Sequence, residues 1–447
     1  MRPMNDLRRV AGGLLAVLGI MVAPAANLQA EAPCVYCDST WESVFGPGAD
    51  ENSILNRKTM TSDSLGTRAA LADEGITMEL LGTQFYQGIA SGGQNSDWEY
   101  GGKFDIFLHV DGDKAGLWEG LFIDLHSESR LGQTINSQDG LFTPSNLAMA
   151  FPDSDENVTA ITGFKITQAL SSNFAVFGGK INTLDEYPLR FSPELGLNRP
   201  GIGGFMNTSL VFNPIMARTI PYAALGVGAA YLKDAEPVAT ITAFDPRERS
   251  TIGLQDPYDR GVVIMPDFII RLKPFGLPGM YNLGGIYSNA QYQSVDRSSY
   301  LILPDIGVVG GVENGSWALY ANFFQALWVD SCDEDRVWGV FGQFGISDGN
   351  PNPLSYVANG GIAGRSMLPH RELDTFGVGF FYLGLSSNFK DLAAGTLPQQ
   401  DEYGVELFYN MALTPWCRVT TDLQVARPST QGIDTAVIPG VRMSMMF

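Results

Sequence analysis

The sequence Glu402-Tyr403-Gly404-Val405-Glu406-Leu407-Phe408-Tyr409-Asn410-Met411 shows most clearly how this chain is built. Every second residue from Tyr403 to Met411 is aromatic or aliphatic, and the polar side chains of Glu406 and Asn410 stand between them. A side-chain period of two belongs to a β-strand whose two faces meet different surroundings. The stretch therefore predicts a strand with one apolar face and one polar face.

The same period of two recurs along most of the chain. The clearest segments lie at 103–110, 121–130, 262–273, 376–382, 403–413, 418–425 and 437–447. Weaker candidates are 76–86, 158–169, 172–181, 222–232, 238–244, 280–287, 317–328, 337–346 and 354–362, with the short stretch 208–212 as one more. Helical spacing is clear only at 65–74, between Ser62-Asp63 and Gly75. We predict about sixteen or seventeen strands in one uninterrupted all-β unit, preceded by a short helix.

The composition excludes several classes of protein. The chain has 447 residues and a formal net charge of −20, from 48 acidic and 28 basic side chains. A nucleic-acid-binding protein needs a basic surface, so we expect no nucleic-acid partner. The 45% hydrophobic content argues against a disordered acidic chain. A single long apolar run, at the N-terminus, argues against a bundle of membrane helices. A large soluble β protein and a membrane β-barrel are left.

The first thirty residues have the pattern of a secretory signal peptide. Arg2, Arg8 and Arg9 precede an apolar stretch at 10–26, and Asn27-Leu28-Gln29-Ala30 offers a cleavage site. An uncleaved anchor helix is the alternative. Export makes disulfides possible among Cys34, Cys37, Cys332 and Cys417, as a local bridge or as a tether of the N-terminal segment. The sequence does not choose among the three pairings.

Alternation alone fits either a soluble sandwich or a membrane barrel, and three features favour the barrel. The clearer strands run to about 10–12 residues, long enough to cross a bilayer at a tilt. Aromatic side chains stand near strand ends, as in interfacial girdles; examples are Trp317, Trp328, Tyr403, Trp416 and Phe447. The chain also ends inside its last strand, on Phe447. We predict a transmembrane antiparallel β-barrel of about sixteen strands with a short N-terminal helix.

Four stretches resemble the carbohydrate-selective porins of the OprB type. They are Gly66-Thr67-Arg68-Ala69-Ala70-Leu71-Ala72-Asp73-Glu74-Gly75-Ile76; Leu368-Pro369-His370-Arg371-Glu372-Leu373-Asp374-Thr375-Phe376-Gly377-Val378-Gly379; Glu402-Tyr403-Gly404-Val405-Glu406-Leu407-Phe408-Tyr409 with Leu413-Thr414-Pro415-Trp416; and Asp422-Leu423-Gln424 with Gly440-Val441-Arg442 and Phe447. The first stretch departs from the family, because Ser64 and Leu65 replace its usual Trp and first Gly.

The resemblance implies an outer-membrane barrel that admits small sugars by passive diffusion. We accordingly divide the chain into a signal peptide at 1–30, an N-terminal segment at 31–62 and a porin barrel at 63–447. The expected partners are small sugars, outer-membrane lipid and the barrel-assembly machinery, which would read the C-terminal strand ending at Phe447. A homo-oligomer is possible, and the sequence does not define it.

A pore for sugars needs hydrogen-bonding groups at a constriction, and polar residues with inward parity supply them. The candidates are Asp124, Glu128, Arg130, Asp267, Arg271, Glu406, Arg418, Asp422 and Arg442; Arg190 joins them because Glu186-Tyr187-Pro188-Leu189-Arg190-Phe191 can lie on an inward-folding loop. Lys103, Asp105 and Asn410 share the same parity. The alternative for each is an ordinary wall charge that contacts only water and its neighbours.

Neither a catalytic nor a metal site is expected. The acidic runs at 153–157 and 330–335 lack the spacing of an EF-hand and are predicted to be solvated outer loops rather than calcium sites. No H-E-x-x-H motif occurs, and we predict no enzyme and no cofactor. Two alternatives to a sugar porin stay open: a general or cation-preferring porin of the same fold, and a secreted soluble β-sandwich that binds glycans.

Overall fold

A computed structural model describes residues 53–63, 66–154, 156–191, 204–303 and 307–447. The predicted signal peptide, Cys34 and Cys37 lie outside the described residues. The helices are α1 (Thr67–Asp73), α2 (Thr183–Phe191), α3 (Thr208–Val211) and α4 (Ser387–Ala393). Nothing is assigned to the side chains of 188–191, which include Arg190. Among the described residues, no helix is both long and apolar enough to cross a membrane.

The strands follow the predicted segments, except that β10 and β11 correspond to no predicted segment. They are β1 (Ile76–Gly88), β2 (Trp98–Asp111), β3 (Leu121–Gly132), β4 (Val158–Ser171), β5 (Phe174–Asn182), β6 (Ala223–Lys233), β7 (Glu236–Phe244), β8 (Val263–Leu272), β9 (Gly279–Gln293), β10 (Tyr300–Leu303), β11 (Gly307–Gly310), β12 (Val312–Val329), β13 (Val337–Ser347), β14 (Leu354–Arg365), β15 (Thr375–Leu385), β16 (Glu402–Thr414), β17 (Cys417–Arg427) and β18 (Ala436–Met446).

Sixteen of these strands form one closed antiparallel barrel. Each barrel strand pairs with its neighbours in sequence, and β1 pairs with β18 to close the sheet, with Leu81 opposite Met446. β10 and β11 stand apart as a small two-stranded sheet between β9 and β12. The barrel prediction is confirmed. The β-sandwich alternative is wrong, because a sandwich has two separate sheets and this sheet closes on itself.

The closing seam is held by the N-terminal helix and the C-terminal residue. The Phe447 backbone N–H donates to Leu80 O at 2.9 Å, and its ring lies 5.9 Å from that of Phe104. Arg68 of α1 donates from its guanidinium to Phe447 O. α1 begins where the Asp63 carboxylate accepts a hydrogen bond from Ala69 N at 2.9 Å. Together these contacts tie both ends of the described barrel chain to the β1–β18 pair.

Two sequence predictions are wrong in the structure. Residues 208–212 form no strand, because Asn207 accepts a hydrogen bond from Ser209 N at 2.9 Å and caps the short helix α3. The acidic run 330–335 joins β12 to β13 at the end of the barrel where α1 lies. That end has short turns, such as 172–173, 234–235 and 415–416, and faces the periplasm in barrels of this kind. The run is therefore not an outer loop.

The cysteines are only partly described. Cys332, in the β12–β13 turn, is disulfide-bonded. Cys417, the first residue of β17, is a buried free thiol. The pairing that the sequence leaves open is therefore partly defined: Cys332 is bonded and Cys417 is not.

Many apolar side chains of the barrel lie on its outer surface, whereas in a soluble protein they lie mainly inside. On β16, Val405 and Leu407 are exposed on the outside, whereas Glu402, Glu406 and Asn410 are fully buried inside. Large apolar side chains likewise cover the outer surface of the other strands, whereas the inner face carries polar groups together with buried apolar side chains such as Phe341 and Phe381. An exposed apolar band of this kind is what a lipid bilayer covers.

We expect Leu407→Lys to destabilise the barrel in lipid, because Leu407 lies midway along β16 and 52% of its surface is exposed on the apolar side. A charge at the bilayer midplane costs about 2–4 kcal/mol of the free energy of unfolding. Urea titration of refolded protein in liposomes measures that free energy.

Leu413→Lys is the matched control, because Leu413 is 51% exposed on the same strand but near its short-turn end. The interfacial position should cost about 0–1 kcal/mol. Equal losses for the two variants would contradict the assignment of this face to lipid.

Candidate pore constriction

Two long connections fold back into the barrel and narrow it. One connects β3 to β4 at 133–157, and the other connects β5 to β6 at 183–222. Helix α2 starts directly after Asn182 at the end of β5 and reaches the far wall, where the Tyr187 hydroxyl donates to Gln343 Oε1 of β13 at 3.2 Å. The helix therefore crosses the lumen.

On the near wall, α2 meets a cluster of ionisable side chains that we call the β2–β3 cluster: Lys103, Asp105, His126, Glu128 and Asp185. Lys103 Nζ lies 3.4 Å from Asp105 Oδ1 and forms a short ion pair with Glu128. The two ring nitrogens of His126 lie 3.0 Å from Asp105 Oδ1 and 2.8 Å from Asp185 Oδ2. His126 therefore connects the barrel wall to α2.

The strand register assembles this cluster. Asp105 of β2 stands opposite Glu128 of β3, and Phe107 stands opposite His126, all on the inward face. Inward neighbours on adjacent strands bring their side chains within contact distance. The Phe107 and His126 rings stack with centroids 3.9 Å apart. The inward parity of β2 and β3, together with their register, is therefore enough to bring Lys103, Asp105, His126 and Glu128 together on the wall.

Residues from the inward connection complete the cluster. The Tyr222 hydroxyl donates to Glu128 Oε2, and Asn182 Nδ2 donates to the same oxygen at 3.1 Å. Burial raises the pKa of Asp185 above its ordinary value, although the positive charge of His126 opposes the rise. Burial likewise raises the pKa of Tyr222 well above its usual range, so its hydroxyl keeps its proton and remains a donor.

On the adjoining part of the wall, across the closing seam from β2, charged side chains of β16 to β18 hold the backbone of the inward connection. The Glu406 carboxylate accepts hydrogen bonds from the backbone N–H groups of Met206 and Asn207, the second at 2.9 Å. Arg442 donates from Nη2 to Gly204 O at 2.8 Å. Asn207 Nδ2 donates to Gln424 Oε1 at 3.1 Å. We call Glu406, Gln424 and Arg442 the β16–β18 anchor.

Glu402, also on β16, anchors the other connection. It accepts hydrogen bonds from the backbone N–H groups of Phe142 and Thr143, and from Ser429 N at 3.3 Å. The two connections also contact each other, since Thr208 Oγ1 donates to Pro144 O at 2.7 Å. Both inward connections are therefore fixed to the same sector of the wall.

The wall beside these anchors is lined by glycines that leave room for the inward connection. A Cβ atom at Gly345 of β13 would lie 2.5 Å from Ile215 Cγ2, and one at Gly379 of β15 would lie 2.8 Å from Leu210 Cδ2. We call the surface at Gly345 and Gly379 the glycine bed. Phe205 packs against it, with its ring 4.9 Å from that of Phe408. The apolar side chains of 205–216 can lie flat on the wall only because these positions lack side chains.

The candidate residues fall into separate groups. Glu128 lies in the β2–β3 cluster, and Arg130 next to it donates to Met149 O at 3.1 Å and to Ser154 O. Asp124 faces a wider part of the lumen on the short-turn side, where it lies 2.7 Å from His109 Nδ1. Glu406 and Arg442 belong to the β16–β18 anchor, and Asp422 accepts a hydrogen bond from Gln424 Nε2 at 3.1 Å.

The remaining candidates lie apart from these groups. Asp267 of β8 accepts hydrogen bonds from Asn282 at 2.8 Å and from the Tyr320 hydroxyl at 2.6 Å. Arg271 lies at the short-turn end and pairs with Glu236 at 3.0 Å. Arg418 lies at the same end and donates to Leu373 O at 3.1 Å. The side chain of Arg190 lies outside the described residues.

Sequence reasoning missed His126 and Asp185 as site residues. His126 shares the parity of Asp124 and Glu128, so its inward position was readable from the pattern. Asp185 lies on a helix, and its contact with His126 spans 59 positions of sequence. No local pattern reports such a contact.

Two apparent signatures of chemistry are accounted for by the structure. Asp105, His126 and Glu128 offer metal-ligand atoms within 4.8 Å of one another, but the Lys103 ammonium already supplies their positive charge. Gly345-Ile346-Ser347-Asp348-Gly349 has the letters of a nucleophile elbow. It lies at the end of β13 rather than between a strand and a helix, and Ser347 Oγ donates to Leu354 O. We assign neither a metal nor a nucleophile.

Comparison with known families agrees with this geometry. The family model described as carbohydrate-selective porin, OprB family, matches residues 95–447. The chain belongs to this family. Its members are outer-membrane channels, and this porin is accordingly an outer-membrane protein.

Individual relatives are distant. Porin B of Pseudomonas aeruginosa is 24% identical over 192 residues, and the match spans 38% of this chain and 42% of Porin B, less than half the length of that relative. The high-pH structure of Pseudomonas putida OprB is 20% identical, with a TM-score of 0.76 over 89% of this chain and 100% of the other. Its low-pH structure is 19% identical, with a TM-score of 0.51. These structures share the fold of this porin.

We expect Gly345→Val to narrow the open pore, because the new side chain overlaps Ile215 and pushes the inward connection off the wall and further into the lumen. Single-channel conductance in planar bilayers measures the change. Gly285→Val is the control: Gly285 lies on β9, and a Cβ there would lie 3.1 Å from the flexible end of Leu319 and at an ordinary contact distance of 3.8 Å from Ala318 O. Unchanged conductance in folded Gly345→Val, or equal changes in both variants, would contradict the role of the glycine bed.

Asp139 should make the inward connection at 133–157 sensitive to pH. Its side chain is fully buried, and burial raises its pKa to about 7, against an ordinary value of about 4. The raised value means that the stabilising contribution of neutral Asp139 is complete below about pH 4 and is lost as pH rises through 7. Protease cleavage within 133–157 should therefore increase from pH 5 to pH 8.

Asp139→Asn keeps the shape of the side chain and removes its charge, so cleavage of this variant should not increase over the same pH range. Asp153→Asn is the control, because Asp153 is exposed in the same connection. The assignment fails if Asp139→Asn keeps the pH dependence of the unmodified chain.

Proposed function

We propose that this porin lets small neutral sugars diffuse passively through its lumen. The observation that carries the proposal is a closed barrel whose lumen is narrowed by α2 and the inward connection, with charged wall residues paired to both of them. Family membership supports the sugar preference. The pore needs neither a cofactor nor a catalytic step, since the solute only follows its concentration gradient.

The pairing of the charges favours a neutral solute. In the wider part of the lumen on the short-turn side, Asp124 faces His109 at 2.7 Å and Lys165 at 3.9 Å, and Lys165 also pairs with Glu186. Paired charges leave a small net field but keep donors and acceptors at the surface. Such a wall exchanges hydrogen bonds with hydroxyl groups and offers little to a simple ion.

Arginines and carboxylates that anchor the inward connections act on the solute indirectly. Glu406 and Arg442 form hydrogen bonds with backbone groups of 204–207. We therefore propose that they set the width of the pore rather than bind sugar. Glu128, Arg130 and Asp124 lie nearer the crossing point of α2, and we propose them as the wall of the constriction.

The cellular route follows from the same proposal. The signal peptide at 1–30 directs export and is removed, and the strand ending at Phe447 is presented to the barrel-assembly machinery. Outer-membrane lipid covers the apolar face that contains Val405 and Leu407. One chain encloses a complete lumen, so passage requires no homo-oligomer, although the barrels can associate.

Liposome swelling tests the proposal directly. Vesicles that contain the folded, heat-modifiable protein should swell in isotonic glucose and more slowly in larger oligosaccharides, because the lumen is narrowed by α2. Vesicles with heat-unfolded protein are the control. Folded protein that passes no sugar faster than the control vesicles do would refute the proposal.

A cation-preferring pore is the second candidate, favoured by the net charge of −20. Reversal potentials in a KCl gradient separate the two. Strong cation selectivity together with swelling rates indifferent to sugar identity would support this second candidate against the first.

A further inference from the structure

Two arginines face the lumen at its short-turn mouth. Arg365 is the last residue of β14, and Arg418 is the second residue of β17. The inward positions of β14 include Val357, Asn359 and Ala363, and Arg365 continues their period of two. Arg418 likewise continues the inward series of β17 that contains Thr420, Asp422 and Gln424. Both guanidinium groups are therefore placed on the wall of the water-filled side.

Most hydrogen-bond donors of these two side chains have no protein partner. Within the described part of the chain, Arg365 forms no side-chain hydrogen bond or ion pair, and its Nε is buried without an acceptor. Arg418 donates from Nη1 to Leu373 O, and its Nε is also buried without an acceptor. A guanidinium has five N–H donors in a fixed fork, and burying a charged donor without an acceptor is costly.

The Asp374 carboxylate, whose charge acts on Arg418, does not supply that acceptor. Asp374 is 1% exposed, and its two oxygens accept hydrogen bonds from the Tyr409 hydroxyl at 2.7 Å and from Ala412 N at 2.8 Å. Arg365 and Arg418 are close enough for their positive charges to repel each other. Two positive guanidinium groups beside the single carboxylate of Asp374, whose oxygens already accept other hydrogen bonds, leave a local positive potential.

Other arginines at this end of the barrel are matched with acids. Arg271 pairs with Glu236 at 3.0 Å, and Arg336 pairs with Asp330 at 2.9 Å. The absence of an acidic ion-pair partner therefore distinguishes Arg365 and Arg418 from Arg271 and Arg336 at the same end.

We propose that Arg365 and Arg418 together form a binding subsite for a small oxyanion, a carboxylate or phosphate group carried by an acidic sugar. Planar oxyanions accept two parallel hydrogen bonds from a guanidinium fork, and two forks hold one oxyanion from two directions. This inference rests on the proposed function, because the anionic group reaches the mouth as part of a sugar that the pore admits. The subsite attracts acidic sugars to a chain whose net charge of −20 would otherwise repel them.

Block of the ion current tests the subsite. The full-length folded porin is placed in planar bilayers at about 0.1 M KCl, where the Debye length is about 10 Å. Glucuronate, inorganic phosphate and glucose are then added in turn to each side. Glucuronate and phosphate should reduce the current at lower concentrations than glucose does, and more strongly from the side that exposes the short turns. Raising KCl to about 1 M should weaken the block by the two anions.

Arg365→Gln and Arg418→Gln remove the charge and keep a polar side chain of similar length. Each should raise the half-blocking concentration of glucuronate by about tenfold, and the double variant by more. Arg365→Lys should recover only part of the block, because lysine keeps the charge without the fork. Arg271→Gln is the matched control, since Arg271 lies at the same end and already has an acidic partner.

Three results would overturn the inference. Glucuronate and phosphate would block the unmodified porin no better than glucose, Arg271→Gln would weaken the block as much as Arg365→Gln does, or the block would be unaffected by both arginine replacements. Glucose swelling of the same variants separates this outcome from failure of the proposed function. If the unmodified porin passes glucose but is not blocked by the anions, only the subsite is refuted. If the folded, unmodified porin passes no glucose, the proposed sugar pore itself is refuted.

Discussion

Closure of a single sheet within lipid is the constraint on which the rest of this structure depends. In hydrocarbon every backbone N–H and C=O must find a partner inside the protein, and the pairing of β1 with β18 leaves no free edge. Once the sheet is closed, the period of two sends one face of each strand to lipid and the other to the lumen. Apolar side chains such as Leu407 occupy the outer face, and the inside carries polar and charged residues together with apolar side chains that pack against the inward connections.

Polar groups inside the barrel and the chain segments that fill it are mutually dependent. A buried carboxylate is costly without donors, and a segment of irregular backbone inside the lumen has unpaired N–H groups. Glu406 and Glu402 meet both needs, since each accepts hydrogen bonds from the backbone of an inward connection. His126 holds α2 differently, through the side-chain carboxylate of Asp185. The charges that look like solute-binding groups in the sequence are therefore largely structural supports for the narrowing of the pore.

This division explains what could be predicted from the sequence. The strands and their inward parity depend on local alternation and were predictable from segments such as 403–413, whereas the barrel was predictable from strand length, aromatic positions and the terminal Phe447. The segment at 208–212 was misread because a cap by Asn207 overrides a short apolar run. The partners of Glu406 were not predictable, because they are backbone groups about 200 positions away, and a period of two gives the direction of a side chain but not what meets it. His126 and Asp185 escaped for the same reason.

The net charge of the chain is for this reason a poor guide to what passes through the lumen. Selectivity depends on charges that are left over after the wall has satisfied itself, and a sum over 447 residues does not distinguish paired from unpaired groups. Lys103 pairs with Glu128, and His126 pairs with Asp185 of α2, so these side chains contribute little to the electrostatic field in the lumen. Arg365 and Arg418 keep most of their donors, and in an acidic chain these two positive groups weigh more on a passing anion than the excess of acids elsewhere. The electrostatic character of this pore is therefore set by its unpaired residues, and its shape by its paired ones.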